Sequence, residues 1–272
     1  MRRFFIGKSA IVDGVGVVEG ELFRHMIRVL RCKVGDRVIL ADGEGEEYGA
    51  LLTSVEGERA FVRILESVAV AVAGTTPEIT LFQGIPKGDR MELILQKGSE
   101  LGATSFVPLL SSRAIPRLAG DKAVERVRRW ERIVAEAARQ SRRSDIPRVG
   151  AIVSLTQALA AADQEVKLLL WEGESRQGLR DILESIPCPA SVALLVGPEG
   201  GFSREEAEEA VAAGFIPVTL GSRILRTETA GLAVLAILQY LWGDLGGGEP
   251  GTRSFPPPCR KSRTVAWSSP WP

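Results

Sequence analysis

Two stretches of the chain combine glycine, charge and hydroxyl groups at the ends of apolar runs: Leu194 to Ser203 (LLVGPEGGFS) and Leu220 to Ala230 (LGSRILRTETA). In each, a strand-like run stops at glycine and feeds a helical segment. Two such loops at the carboxyl ends of strands are where open α/β sheets hold small ligands. Gly200 and Gly201 leave room for a ligand to approach the backbone. Neither loop contains GxxxxGK[ST] or GxGxxG, and Glu199 inside the first would repel phosphate. A phosphate-free ligand held by backbone amides and carbonyls fits better, and a nearby carboxylate would tolerate positive charge on it. The same spelling also makes a plain strand-to-helix turn. Ser203 and Glu206 form a capping box, and Gly214 closes that helix. Thr227 or Thr229 suits the N-cap of the last helix. Arg226 needs an anionic partner, for which Glu199, Glu228 or an RNA phosphate qualify.

The elements that position these loops alternate. Strands are expected at 78–83, 106–110, 166–171, 191–196 and 215–220, and helices at 90–101 and 124–139. Strand–helix alternation predicts a mostly parallel sheet covered on both faces. The final helix, Glu228 to Trp242, is nearly all apolar, which predicts burial in the core or against a second subunit. Residues 1–72 read instead as short strands (38–40, 48–55, 59–65) with one helix over 19–30, a small β-barrel. Val68 to Pro77 reads as a linker. Residues 246–272, rich in Gly, Pro, Ser and Arg, have too little packable surface to fold.

Composition narrows the classes. The 272 residues, 45% hydrophobic and 25% charged, suit a soluble protein of two domains. Three scattered cysteines and one histidine make a disulfide framework or a zinc site unexpected, and no metal is implied. No signal peptide and no apolar run long enough to span a bilayer is read, so the expected location is the cytoplasm.

Net charge is zero, so a nucleic-acid surface requires local concentration of charge. Residues 113–148 supply it, with eleven Arg or Lys against five Asp or Glu. Arg139, Arg142 and Arg143 cluster at its end, and arginine suits phosphate contacts. Arg24, Arg28 and Arg31 share one face at helical spacing and, with Arg2 and Arg3, form a second candidate contact. A solvated helix face is the bland alternative for each.

The wording of several segments resembles the RsmE family of SPOUT methyltransferases: HMIRVLR (25–31), Gly35-Asp36, Asp42-Gly43, PKGDRME (86–92), QKGSELG (96–102) and the two glycine loops. The resemblance covers roughly residues 1–245. It implies a PUA-like barrel followed by an α/β methyltransferase domain (73–245) with a trefoil knot. It further implies methylation of N3 of a uridine in 16S rRNA of the small ribosomal subunit, with S-adenosylmethionine as cofactor and a homodimer as the working form. A SPOUT ribose 2′-O-methyltransferase and a non-enzymatic ribosome-associated RNA-binding protein are the rivals. Carried onto this chain, the cofactor loops fall at 170–172, 195–201 and 220–230. The cofactor residues are then Leu170, Leu195, Gly197, Pro198, Gly200 and Gly201, followed by Leu220, Gly221, Ile224, Leu225, Thr227, Thr229 and Ala230. Arg226 would stabilise the anionic uracil, and Glu199 would act as base or positioning group.

Overall fold

The computed structural model describes residues 1–68, 76–111, 120–171, 173 and 177–245. Most of the expected linker, Glu172, Arg113, Arg117 and the 246–272 tail lie outside the described residues.

The first unit is built from β1 (Arg2–Phe5), β2 (Ile11–Val12), β3 (Val15–Val18), α1 (Gly20–Phe23), β4 (Arg37–Ala41), β5 (Glu47–Glu56) and β6 (Arg59–Val68). Its six-stranded sheet runs in the order β1-β4-β5-β6-β3-β2. Only β1 and β4 pair in parallel; β2-β3, β4-β5 and β5-β6 are antiparallel hairpins, and β3 pairs antiparallel with the distant β6. Asp13 and Gly14 both take positive φ between β2 and β3, as a two-residue hairpin turn requires. Phe4 from β1 and Val18 from β3 meet in one core with Met26, Leu40, Leu52 and Val62. The strands of this mixed sheet therefore share one interior.

The helix expected over 19–30 forms over 20–29, with a change of hydrogen-bond pattern along it. Four α-helical residues give way to a π-turn over Arg24–Val29, and Arg31 follows in a left-handed conformation at φ 52°. Arg24, Arg28 and Arg31 therefore do not continue one α-helical face. The wider π-turn seats Phe23 and Met26 in the core.

The second unit contains β7 (Glu78–Gly84), α2 (Arg90–Glu100), β8 (Ser105–Leu110), α3 (Asp121–Gln140), β9 (Arg148–Val149), β10 (Val153–Ser154) and α4 (Leu155–Ala161). It continues with β11 (Val166–Leu170), α5 (Leu179–Ser185), β12 (Ser191–Val196), α6 (Arg204–Ala212), β13 (Ile216–Val218) and α7 (Thr227–Trp242). Its sheet runs β10-β8-β7-β12-β11-β13, with β9 also on β8, and every ladder is parallel. Alternation along β12 divides the core. Val192, Leu194 and Val196 face α2, α3, α5 and α7, while Ala193 and Leu195 face α4 and α6. The sheet is covered on both faces, as the strand–helix alternation predicted.

One face of α7 escapes the core. Ile237 and Tyr240 are exposed, and Ala233 and Ala236 beside them are half-buried. The other faces of this apolar helix pack on α2 and β12 in the core, one of the two places expected for it, and leave this stripe at the surface.

The two units meet at a seam. Arg3 donates to the carbonyls of Arg142 and Arg143 beyond the end of α3, and its other nitrogen pairs with Glu47 at 2.8 Å. Asp145 bridges to Gly43 and Glu44, and the Ile146 N–H donates to the Gly43 carbonyl at 3.1 Å.

Candidate active site

Leu170, Gly197 and Leu220 each follow or end a strand of the parallel sheet, and their loops converge on one cavity of about 900 Å³. Its first wall is the loop after β12. Gly197 lies so close to Gly201 that a Cβ on it would sit 3.1 Å from the Gly201 Cα. Gly201 turns back at φ 64°, its N–H donating to the Pro198 carbonyl at 2.8 Å. The expected capping box forms: the Ser203 hydroxyl accepts from the Glu206 N–H at 3.2 Å, and Glu206 accepts from the Ser203 N–H at 2.8 Å. Behind this loop, a Cβ on Gly84 would fall 2.6 Å from Pro198, so the end of β7 abuts the wall.

The second wall is the loop before α7. Gly221 takes φ 104°, and Gly221, Ser222, Arg223 and Ile224 are all exposed. The two walls are joined by Thr227. Its hydroxyl donates to the Gly197 carbonyl at 2.5 Å and accepts from the buried Gln83 amide at 2.9 Å. The expected capping role is thus not filled. The N-cap of α7 is Arg226, with no side-chain cap, because the Thr227 hydroxyl is spent on the neighbouring loop.

Charge inside the cavity is organised by Arg90, the first residue of α2. Its guanidinium pairs with Glu199 and lies 3.8 Å from Glu228. Partial burial pushes the Glu199 carboxyl up. Hydrogen bonds from its own N–H, from the Lys87 N–H and from Arg90, with the charge of Arg90, outweigh that and hold it below the usual carboxylate range. Glu199 is therefore a poor proton acceptor. Arg226 is 80% exposed, with Glu228 at 3.9 Å, rather than tucked between loop and helix.

Of the expected cofactor residues, Leu170, Gly197, Pro198, Gly200 and Gly201 line the cavity. So do Leu220, Gly221, Ile224, Leu225, Thr227 and Ala230. Leu195 does not: strand alternation sends its side chain into the core with Phe82 and Leu109. Thr229 is exposed on the first turn of α7 and does not line the cavity. Arg90 and Glu228 line it without having been singled out as site residues, and buried Gln83 supports it. Arg90 belongs to the PKGDRME segment, but its partner Glu199 lies 109 residues away. No local pattern announces that pair.

A family model described as an RNA methyltransferase domain matches residues 74–239, and one described as an RNA methyltransferase PUA domain matches residues 18–65. Ribosomal RNA small subunit methyltransferase E of Bacillus subtilis is 34% identical over 248 residues, covering 88% of this chain and 96% of its own. The chain belongs to the RsmE family of RNA methyltransferases. The Neisseria gonorrhoeae methyltransferase E, solved bound to S-adenosyl methionine, is similar at 38% identity and TM-score 0.79, covering 90% of this chain and 99% of its own. A putative methyltransferase of Legionella pneumophila, solved with bound cofactor SAM, is similar at 34% identity and TM-score 0.76, covering 88% and 96%.

In this RsmE chain the arginines singled out for RNA divide into two groups. Arg143 is turned inward, paired with Asp145 and donating to the carbonyls of Ser99 and Ala103 at 2.8 and 2.9 Å. Arg3 is spent on the seam, and Arg2 approaches the Cys32 sulfur at 3.1 Å. Arg28 pairs with Glu58 and Arg139 with Glu136 at the surface. Arg24, Arg31 and Arg142 are exposed. Arg139 and Arg142, with Arg3, line a cleft of about 320 Å³ at the seam.

Proposed function

We propose that the protein methylates N3 of a uridine in the 16S rRNA of the small ribosomal subunit, using S-adenosylmethionine, in the cytoplasm and as a homodimer. The observation that supports this most is the convergence of the two glycine loops on one cavity at the carboxyl ends of β11, β12 and β13. The solved relatives from Neisseria and Legionella hold S-adenosylmethionine.

The cavity suits that cofactor. Its first wall presents the backbone of Gly197 to Gly201, where a Cβ on Gly197 would crowd the Gly201 Cα at 3.1 Å. The residues that would hold it are Leu170, Gly197, Pro198, Gly200, Gly201, Leu220, Gly221, Ile224, Leu225, Thr227 and Ala230. When bound, S-adenosylmethionine supplies a methyl group activated by its sulfonium. The chain must hold the acceptor in line and manage the uracil N3 proton, whose pKa lies above neutrality. Arg226, exposed at the rim, stabilises negative charge on the uracil carbonyls. Glu199 is a positioning residue: it fixes Arg90 and the Lys87 backbone.

Residues 1–72 serve as the PUA-like RNA-binding unit and 73–245 as the methyltransferase unit, a division supported by their separate sheets and family-model matches. Arg2, Arg24, Arg28, Arg31, Arg139 and Arg142 contact RNA phosphates; Arg3 and Arg143 support that surface from beneath. The trefoil knot is supported by the return of the chain from edge strand β13 to hydrogen-bond Gly197 and Gln83 through Thr227. The stripe of Ala233, Ala236, Ile237 and Tyr240 on α7 is the proposed dimer face.

The test is methyl transfer from labelled S-adenosylmethionine to small ribosomal subunits from a strain lacking this gene, followed by nucleoside analysis. N3-methyluridine is the expected product. A 2′-O-methylated nucleoside would replace this reading with the ribose methyltransferase. Absence of transfer would reject the assigned substrate.

A further inference from the structure

Two carboxylates line the cavity, and they differ in what their oxygens already do. Glu199 accepts the Lys87 N–H at 2.9 Å and the Arg90 guanidinium on the same oxygen, Oε1, so protonation would remove the charge that holds Arg90 there. Glu228, in the first turn of α7, is only 13% exposed. Its Oε2 is buried and has no hydrogen-bond partner among the described residues. The cations nearest its Oε1 are Arg90 Nε at 3.8 Å and Arg226 Nη1 at 3.9 Å, both too long for hydrogen bonds. A buried carboxylate with unspent acceptors is costly unless a donor arrives. The flanking guanidiniums compensate its charge without occupying it.

We infer that Arg90, Glu228 and Arg226 form the edge that reads the acceptor base, with Glu228 accepting the N3–H of uracil and taking its proton. This rests on the reading of the cavity as a uridine-N3 methylation site. The imide edge of uracil presents carbonyl, N–H, carbonyl. Guanidinium, carboxylate and guanidinium present the complementary donor, acceptor, donor. Cytosine offers a bare N3 lone pair at the central position and would face Glu228 acceptor against acceptor, so the same three groups also select uracil. In the proton step the N3–H bond breaks and an O–H bond forms on Glu228. The electron pair stays on N3, and its charge spreads to O2 and O4, within reach of the two guanidiniums. Glu199 acts one step back by holding Arg90. The charged groups around Glu228 are Arg90 on α2, Arg226 and Arg223 on its own loop and, through Arg90, Glu199 after β12.

The test compares wild type with Glu228→Gln, which keeps the shape and removes the base. Three quantities are read: S-adenosylmethionine affinity by calorimetry, kcat and KM on small subunits, and the pH–rate profile. Cofactor affinity and KM should stay within about threefold, while kcat falls by about 100-fold or more, the range of a lost general base. The residual rate of E228Q should climb with pH as the imide ionises unaided, whereas wild type has already levelled off. Glu228→Asp should keep the levelling at a lower rate, and decides the matter if the glutamine variant does not fold. Wild-type turnover in E228Q, a pH profile parallel to wild type, or a loss of cofactor affinity matching the loss of rate would each overturn the assignment of Glu228 alone. A wild-type protein that forms no N3-methyluridine would overturn the parent reading and this one together.

Discussion

The loop after β12 and the loop before α7 close the same cavity, yet they are held in opposite ways. Residues 197–203 are fixed from every side: by the Gly201 turn, by the capping box, by Gly84 behind Pro198 and by Thr227. Residues 221–224 are exposed, and among the described residues their one anchor of this kind is the weak 3.4 Å exchange between Thr219 and Gly221. One wall is prebuilt, and the other is free to adjust when a ligand or a second subunit arrives. Preorganisation on one side limits the ordering cost of binding to the other.

That contrast can be broken at its tightest point. Gly84→Ala drives a methyl into Pro198, where the backbone has no room. It should cost about 3 kcal/mol of stability in a thermal or denaturant melt, with S-adenosylmethionine affinity falling at least tenfold, roughly 1.4 kcal/mol, by calorimetry. An unchanged melt would show the first wall to be as yielding as the second. Thr227→Val removes the bond between the walls and leaves the Gly197 carbonyl unpaired, which should cost about 1–2 kcal/mol. Thr227→Ser should restore most of it, since the hydroxyl matters and the methyl does not.

A smaller effect follows pH. Glu199 titrates lower in the folded protein than in the unfolded chain. Its partners therefore stabilise the fold fully above the unfolded carboxylate pKa, and that contribution disappears as pH falls through the folded value. Stability profiles of wild type and Glu199→Gln should diverge near neutrality and converge in acid. Parallel profiles would mean that the Arg90 pair adds nothing to the first wall. The smallest change is expected on the free wall. Ile224→Ser should alter the stability of the chain by no more than about 0.5 kcal/mol. A large loss would show that the second loop is anchored in a way its exposure conceals.

The sheet of the second unit was legible because its code is local. Apolar runs of strand length gave β7, β8, β11 and β12 to within a residue or so, and Ser203 with Glu206 announced the start of α6. β13 proved shorter than its apolar run, Ile216–Val218 against 215–220, because the second loop begins early. Groups with two compatible uses were not legible. Thr227 reads as a helix cap from its neighbours and becomes a link between loops only once β7 and β12 are adjacent. Arg24, Arg28 and Arg31 have α-helical spacing, but burying Phe23 and Met26 selects a wider turn. Arg90 and Glu228 acquire meaning only through contacts across more than a hundred residues. The outward stripe on α7 is as apolar as its buried faces, so hydropathy cannot divide them.

The seam between the units has a consequence for cooperativity. Arg3 of the first sheet satisfies carbonyls just beyond α3, and Asp145 of the second unit bridges to the Gly43 turn. Neither unit can open at this border without stripping hydrogen bonds from the other. Heating should therefore disassemble both in one concerted transition, with a calorimetric enthalpy matching the van't Hoff value. The angle at which a structured RNA meets the two surfaces is then a fixed property of the fold, set before any encounter.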